Sequence, residues 1–397
     1  MAEGGSSVQG DTSRTKAAQL TTATRIAFRV DASVQIGTGH VMRCLTLAKA
    51  LREQGCRCHF ICREHCGNLI DTIRSSGFVA YSLPSRERAE PVYCYYENAP
   101  VHAPWLGVSW RSDASETARI VSDLGVHWLV VDHYSLDIRW ESRVRRHVAN
   151  VLVLDDLADR QHQAEILLDQ NLGREAKDYA RLVPPHCELL IGPQYAVLRP
   201  EFALTREESL RRRDEPRLKK LLVTMGGMDK DNVTGKVLYA LRGCSLPDDF
   251  EIDVVMGSNA PWLENVRVQA GAMPRPTRVL VDIQNMAERM AEADLAVGAA
   301  GSTSWERCCL GLPTLIVTLA ENQYEVAYEL HELGAARLLD VGPLFVENLR
   351  DTFEQLDAGA LRTMSVKASE IANGEGLDYL VAKILSTNPK KIGEGIQ

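Results

Sequence analysis

The stretch that decides the fold runs from Arg25 to Cys62. Ile26-Ala27-Phe28-Arg29-Val30 is a short β-type run, and the loop that follows holds Gly37 and Gly39. From Val41 to Gln54 the apolar positions Val41, Cys44, Leu45, Leu47, Ala48 and Leu51 fall at helical spacing. Gly55 is a suitable stop for that helix, and Cys58 to Cys62 is a second β run. Strand, glycine loop, helix and strand in this order make a βαβ unit, which predicts a parallel sheet with a right-handed crossover.

The same design recurs on both sides. Trp128-Leu129-Val130-Val131-Asp132 and Val151-Leu152-Val153-Leu154-Asp155-Asp156 are apolar runs ending in carboxylates. They read as buried central strands whose polar residues sit at the carboxyl ends, where open α/β sheets place their sites. A helical stretch from about Leu136 to Val148 separates them, and Pro84 to Ser115 reads as loop. Glu207 to Lys220 is heavily charged and includes Arg211-Arg212-Arg213, which we read as a solvated linker or helix end rather than a binding patch. A second series follows with Leu221–Met225, Phe250–Met256, Val279–Val281, Ala293–Val297 and Thr314–Val317. The fold class is therefore α/β, in two halves joined near residues 200 to 218, with a cleft between two sheet edges as the favoured ligand site. The last helical pattern, Leu361 to Leu385, suits packing on either half.

Composition narrows the function. The 397 residues are 45% apolar and 25% charged, which is ordinary for a globular chain and long enough for a full core. Lys plus Arg is 45 against 53 Asp plus Glu, a net charge of −8 with no dense basic block, so nucleic acid is a poor partner. No run of about 18 apolar residues is present, so no membrane partner is expected. Met1 to Thr24 is rich in Gly, Ser, Thr and Gln and lacks the apolar stretch of a secretory signal, so it reads as a disordered tail of a cytoplasmic protein. Among the ten cysteines, Cys56, Cys58, Cys62 and Cys66 cluster, but the paired C-x2-C spacing of a zinc site is missing; buried, reduced thiols are the better reading.

Three loops are candidates for chemistry. In Asp31 to Arg43, Gly37 and Gly39 let backbone N–H groups approach a ligand. His40 stands at the start of the helix, where an imidazole can act as a base near neutral pH. It is not a dinucleotide fingerprint, because position 42 is Met. Gly226-Gly227 follows the first strand of the second half and is a turn able to cradle a phosphate. In Gly301-Ser302-Thr303-Ser304-Trp305-Glu306, free N–H groups would suit a diphosphate and Glu306 the hydroxyls of a ribose, although the spacing also fits a capping box. Asn322-Gln323, after the next strand, would complete one nucleotide pocket. No G-x-S-x-G elbow and no P-loop occurs.

These motifs together resemble the UDP-sugar hydrolases of pseudaminic acid biosynthesis. The resemblance rests on Arg29-Val30-Asp31-Ala32-Ser33, Ile36-Gly37-x-Gly39-His40-Val41-Met42-Arg43-Cys44, Trp105-Leu106-Gly107-Val108, Val131-Asp132-His133-Tyr134, Leu154-Asp155-Asp156-Leu157-Ala158-Asp159-Arg160, Met225-Gly226-Gly227-x-Asp229-x-x-Asn232 and Gly301-Ser302-Thr303-x-Trp305-Glu306. It covers about residues 25 to 385, although the pattern around Gly301 and Glu306 also occurs across GT-B nucleotide-sugar glycosyltransferases. It implies two Rossmann-like domains in a GT-B arrangement, with 25–205 carrying the catalytic loop, 206–385 binding UDP, and 1–24 and 386–397 as tails. It also implies hydrolysis of UDP-2,4-diacetamido-2,4,6-trideoxy-β-L-altropyranose, with water attacking the anomeric carbon and inverting it. His40 matches the histidine that activates this water and Tyr134 the tyrosine near it. Asp31, Gly37, Gly39, Arg43, Gly226, Gly227, Gly301, Ser302, Thr303, Glu306, Asn322 and Gln323 are the expected substrate contacts. No metal and no cofactor is implied. Asp31, Asp132, Asp155 and Asp156 each lie at the carboxyl end of a strand, where orienting His40 and a capping or loop-building role are equally good readings. The segment Pro84 to Pro104, with Cys94-Tyr95-Tyr96, reads as an insertion that would alter sugar choice if it covered the cleft. A glycosyltransferase of the same fold (the spore-coat polysaccharide type), a hydrolase of an isomeric UDP-sugar and a non-catalytic nucleotide-sugar binder are the competing readings.

Overall fold

In the computed structural model, which describes residues 23–85 and 99–387, the two α/β series form two separate parallel sheets. The first is built from β1 (Arg25–Val30), β2 (Arg57–Arg63), β3 (Val79–Leu83), β4 (Trp128–Asp132), β5 (Asn150–Leu154), β6 (Ile166–Asp169) and β7 (Glu188–Ile191). Its order is β3-β2-β1-β4-β5-β6-β7, with every pairing parallel. The crossovers include α1 (Gly39–Glu53), α2 (Ile70–Ser75), α3 (Trp110–Leu124) and α4 (Ile138–Val144).

After α5 (Pro200–Arg212), the second sheet contains β8 (Lys220–Thr224), β9 (Glu251–Met256), β10 (Thr277–Val281), β11 (Leu295–Ala299), β12 (Thr314–Val317) and β13 (Arg337–Leu339). They run β10-β9-β8-β11-β12-β13, again all parallel. Its helices are α6 (Val233–Leu241), α7 (Leu263–Gly271), α8 (Met286–Glu292), α9 (Thr303–Cys309), α10 (Tyr324–Glu332), α11 (Phe345–Glu354), α12 (Ala358–Ile371) and α13 (Gly376–Ser386). In each sheet the strand order reverses at the centre, between β1 and β4 and between β8 and β11, which opens a crevice at the carboxyl ends.

Both faces of each sheet are covered, which explains the unbroken apolar runs. Side chains alternate along a strand. Ile26, Phe28 and Val30 therefore enter one core with Val130, Leu152 and α1, while Ala27, Leu129, Val131, Val151 and Val153 enter the core under Trp140 and Val121. The second sheet repeats this, with Leu221, Val223, Leu295 and Val297 on one side and Leu222, Ala296 and Ile316 on the other.

Four readings from the sequence need revision. The stretch Pro84 to Ser115 is not all loop: Ala103–Leu106 is a turn of 3-10 helix, and α3 starts at Trp110, capped by the Ser109 hydroxyl, which accepts from Ser112 N at 3.2 Å. Its helical period was masked because the buried face carries Asp113 and Thr117 beside Ala114, Ala118 and Val121. Most of the insertion, residues 86–98, lies outside the described residues. The charged stretch after residue 207 is the end of α5 as far as Arg212 and irregular beyond it, and Arg213 is buried rather than solvated: it donates to the carbonyls of Leu310, Ala293 and Met290 at 2.8–3.0 Å. Cys44, Cys56, Cys58 and Cys62 are buried free thiols, but Cys66 is exposed. The pattern Leu361 to Leu385 is two helices. Of these, α12 packs on α9, while Leu377, Leu380, Val381 and Ile384 of α13 return to the first core. No described helix is long and apolar enough to cross a membrane.

Candidate active site

At the carboxyl end of the first sheet three strand ends converge on one imidazole. Gly37, at φ +83°, turns the chain after β1 and brings His40 into the first turn of α1. His40 Nδ1 stands 2.6 Å from Asp132 Oδ1 at the end of β4. Arg43, one turn along α1, grips the same carboxylate with Nε at 2.6 Å and a second nitrogen at 2.6 Å. It also reaches Asp156, beyond β5, at 2.8 and 2.9 Å. The Tyr134 hydroxyl donates to Asp156 at 2.7 Å, and its ring meets His40 edge-on at 4.6 Å. Trp105 and His102 pack on the other sides of Tyr134, at 5.8 and 5.3 Å.

This geometry assigns the tautomer. Asp132 is fully buried; burial raises the pKa of its carboxyl, but Arg43 and His40 outweigh that and hold it well below the usual carboxylate range. An ionised carboxylate only accepts, so His40 Nδ1 carries a hydrogen, and Nε2 is the nitrogen that bears the lone pair in the neutral ring. Tyr134 is 7% exposed, and burial followed by Asp156 pushes its hydroxyl pKa up, so it remains a neutral donor.

Asp31 is placed differently from its neighbours. It is 0% exposed and belongs to a buried charge network: Arg29 at 2.6 and 2.9 Å, the Arg63 backbone N–H at 2.7 Å and His133 Nε2 at 3.2 Å. Arg29 and Arg63 both continue to Asp113. Asp31 thus sets the floor beneath β1 and does not line the cleft. Asp155 is likewise internal, bound by Arg160 and Tyr179.

The second sheet places its loops at the corresponding edge. Gly226, at φ +81°, and Gly227 follow β8, and a side chain added at either would meet nothing within 4 Å. Asp229 and Asn232 of the same motif cap α6: Asp229 accepts from Val233 N and Thr234 N at 2.9 Å, and Asn232 accepts from Gly235 N at 3.1 Å. Lys230 donates from Nζ to the carbonyl of Val34 at 3.3 Å, so this loop touches the His40-bearing loop. After β11, Gly301 and Ser302 are exposed and Thr303 half-buried. The capping box suggested by the spacing is not formed: Ser302 makes no side-chain cap, and Glu306 pairs with Arg199 at 3.5 Å. Burial pushes the Glu306 pKa up, against the pull of Arg199 and Arg307. Asn322 and Gln323 lie in the turn after β12. The Gln323 side-chain oxygen accepts from Leu319 N at 2.8 Å, and a methyl placed on Gly301 would stand 3.9 Å from its Nε2. The Gly301 and Gln323 loops are therefore neighbours.

The structure brings His40, Arg43 and Tyr134 together, and separately Gly301 and Gln323. Asp132 emerges as the carboxylate on His40, one of four the sequence left open. His102, Arg199 and Arg307 were given no role from the sequence: a loop histidine and a lone arginine carry no motif of their own, and Arg307, although it continues the Gly301 to Glu306 motif, shows its contacts only in the fold.

With this geometry established, similarity to known proteins can be stated. Residues 235–376 match the glycosyltransferase family 28 C-terminal domain. The UDP-2,4-diacetamido-2,4,6-trideoxy-beta-L-altropyranose hydrolase of Campylobacter jejuni is 26% identical over 310 residues, which is 78% of this chain and 97% of that one. An uncharacterized protein of Methanocaldococcus jannaschii is 25% identical over 305 residues, 76% of this chain, and the match spans 57% of that protein's length. Among solved structures, Acinetobacter baumannii MurG superposes with a TM-score of 0.68 at 18% identity, over 92% of this chain and 100% of that one. The fold is the GT-B arrangement of two Rossmann-like domains, as the motifs implied, and the resemblance to the hydrolase extends over most of the chain.

Proposed function

We propose that this chain hydrolyses UDP-2,4-diacetamido-2,4,6-trideoxy-β-L-altropyranose to UDP and 2,4-diacetamido-2,4,6-trideoxy-L-altrose. The observation that carries the reading is an oriented base in the crevice of the first sheet: His40 is held by a buried, ionised Asp132 that Arg43 locks in place. The relation to the Campylobacter hydrolase supports the choice of substrate.

In this reading the loops at Gly226-Gly227 and Gly301–Thr303 hold the diphosphate, with Glu306, Asn322 and Gln323 around the nucleoside. A water on His40 Nε2 attacks the anomeric carbon from the face opposite UDP. The C–O bond to the diphosphate breaks, its electron pair leaves with UDP, and the water's proton passes to Nε2. The resulting imidazolium is stabilised by Asp132. UDP is a good leaving group, so the work lies in positioning and deprotonating water, a contribution of roughly 10²–10⁴-fold for a general base. The two carboxylates of ordinary glycosidases are not required. Purified protein incubated with this UDP-sugar should release UDP and, in the first minutes, the inverted anomer of the free sugar, both read by proton NMR. Saturable UDP binding without release would contradict the hydrolase reading.

A second reading, transfer of the sugar to an alcohol acceptor, is favoured by one observation, the family 28 C-terminal match. It predicts that UDP release accelerates only when an acceptor is added.

A further inference from the structure

Arg307 is 1% exposed and lies beneath the Gly298–Ser304 loop. It donates to the Ala299 carbonyl at 2.8 Å, Ser304 Oγ at 3.1 Å and Thr303 Oγ1 at 3.3 Å. These acceptors are neutral, and it makes no ion pair among the described residues. Its chain neighbour Glu306 turns to Arg199 instead. The other deeply buried arginines are compensated. Arg29, Arg63 and Arg160 hold carboxylates, and Arg213 binds carbonyls at the C-terminal ends of α8 and α9, where peptide dipoles present negative charge. Arg307 itself stands in the last turn of α9, but its guanidinium reaches back to Thr303 and Ser304 at the start of the helix, where those dipoles are already positive.

The site is built around this side chain. A Cβ on Gly298 would stand 2.5 Å from an Arg307 terminal nitrogen, so β11 needs glycine there to admit the guanidinium. The Ser304 hydroxyl that receives Arg307 also accepts from Gly301 N at 3.3 Å, which ties the arginine to the loop's turn. On the outer side Gly301 and Ser302 face solvent. Burial lowers the Arg307 pKa to about 10, which still leaves it charged at neutral pH. Glu306 offsets this charge only through space, without contact, and a buried charge that lacks a contacting counter-charge is costly unless something of opposite sign approaches.

We propose that Arg307 is a positioning residue for the charged part of the nucleotide. It braces the Gly298–Ser304 loop from behind and supplies a buried positive charge that a diphosphate on the loop's exposed face compensates. This rests on the reading above, in which that loop holds UDP. It makes one distinct demand: the benefit of Arg307 must scale with the ligand's negative charge.

The test is calorimetric titration of the full chain with uridine, UMP and UDP as probes. Arg307→Met should weaken UDP by about 10–100-fold, on the order of one charge acting on another across a thin layer of protein, and UMP less, while uridine changes by no more than about twofold. Arg307→Lys should retain most of the UDP affinity. The unliganded Met variant should melt no lower than the wild type, because the uncompensated charge is gone. Gly298→Ala, which presses on the flexible end of Arg307, provides a second route and should reproduce the UDP-selective loss. Unchanged UDP binding in both variants, or equal loss of uridine and UDP, would overturn the role of Arg307 alone. A wild-type chain that binds no UDP would instead overturn the reading of the site.

Discussion

Asp132 keeps its charge without solvent because Arg43 and His40 bind both of its oxygens. Asp132→Asn removes the acceptor that fixes the His40 tautomer, so kcat should fall by about 10²–10⁴ while the UDP Kd moves by less than about twofold. His40→Ala should give the same pattern, and a parallel loss of UDP binding would argue against either role. The buried carboxylates also titrate in opposite directions. Asp132 has a lowered pKa, so its stabilisation is complete above the ordinary carboxylate range and is lost only in strong acid. Asp169 is the reverse: burial and Asp156 push it up to about 7, against the Asn171 N–H and Tyr179. Geometry agrees, because the Tyr179 hydroxyl lies 2.9 Å from Asp155 and 2.8 Å from Asp169 and has a single hydrogen. Arg174 Nε stands 3.5 Å from the same Asp169 oxygen but does not cancel the effect of burial, so a second proton among these oxygens is favoured on Asp169 as pH falls below about 7. Its contribution is therefore present at low pH and lost as pH rises from about 4 toward about 7. Asp169→Asn should be the more stable form at pH 8, on the order of 1–3 kcal/mol by urea denaturation, with the gap closing at pH 5. Equal gaps at both pH values would show that Asp169 is ionised throughout. Of this chemistry, His40 was legible from its glycine loop. Which carboxylate meets it was not, since Asp31 and Asp132 both end central strands and both are buried, and only their partners separate them: Arg29 for Asp31, His40 and Arg43 for Asp132.

Glycine decides how close the elements can come at the second sheet. A Cβ on Gly257 would stand 2.5 Å from the Gly227 carbonyl oxygen, a backbone atom that cannot swing aside. Gly257→Ala should push the Gly226-Gly227 turn outward, at a cost of about 1–3 kcal/mol for overpacking, and should weaken UDP measurably in a titration. Unaltered UDP affinity would remove that turn from the site. The elements read best from sequence were those with strong local signals: β4 is the Trp128–Asp132 run itself, and α1 follows its apolar spacing. The short strands β3, β6, β7 and β13, of three to five residues, were missed because so few positions carry no period. The stretch from Glu207 was read as a solvated linker or a helix end, and it is the end of α5, but burial was not foreseen because Glu207 to Arg213 looks solvated. Only the packed molecule shows Ser209 and Arg213 bonding to the Leu310 carbonyl.

Across the whole molecule, the chain leaves the second sheet and its last described helix, α13, packs on the first. Leu377, Leu380, Val381 and Ile384 of α13 fill the core over α1, and each such buried side chain contributes about 1.5–3 kcal/mol. Truncation after Ala372 should therefore destabilise the His40-bearing sheet, which lies far away in sequence. Hydrogen exchange should rise first in β1 and α1, and exchange confined to the second sheet would contradict this packing. No sequence pattern foretold which half α13 would join, because an apolar helix face fits either. The contact of Lys230 with Val34 closes the loops of the two sheets on one another, and the proposed reaction needs that closeness: the base on one side, the nucleotide on the other. The most direct test of the hydrolase reading is to run the reaction with UDP-2,4-diacetamido-2,4,6-trideoxy-β-L-altropyranose in water enriched in oxygen-18 and weigh both products. Water activated by His40 at the anomeric carbon puts the heavy oxygen in the free sugar and none in UDP. Heavy oxygen in UDP, or no UDP released until an acceptor alcohol is added, would contradict it.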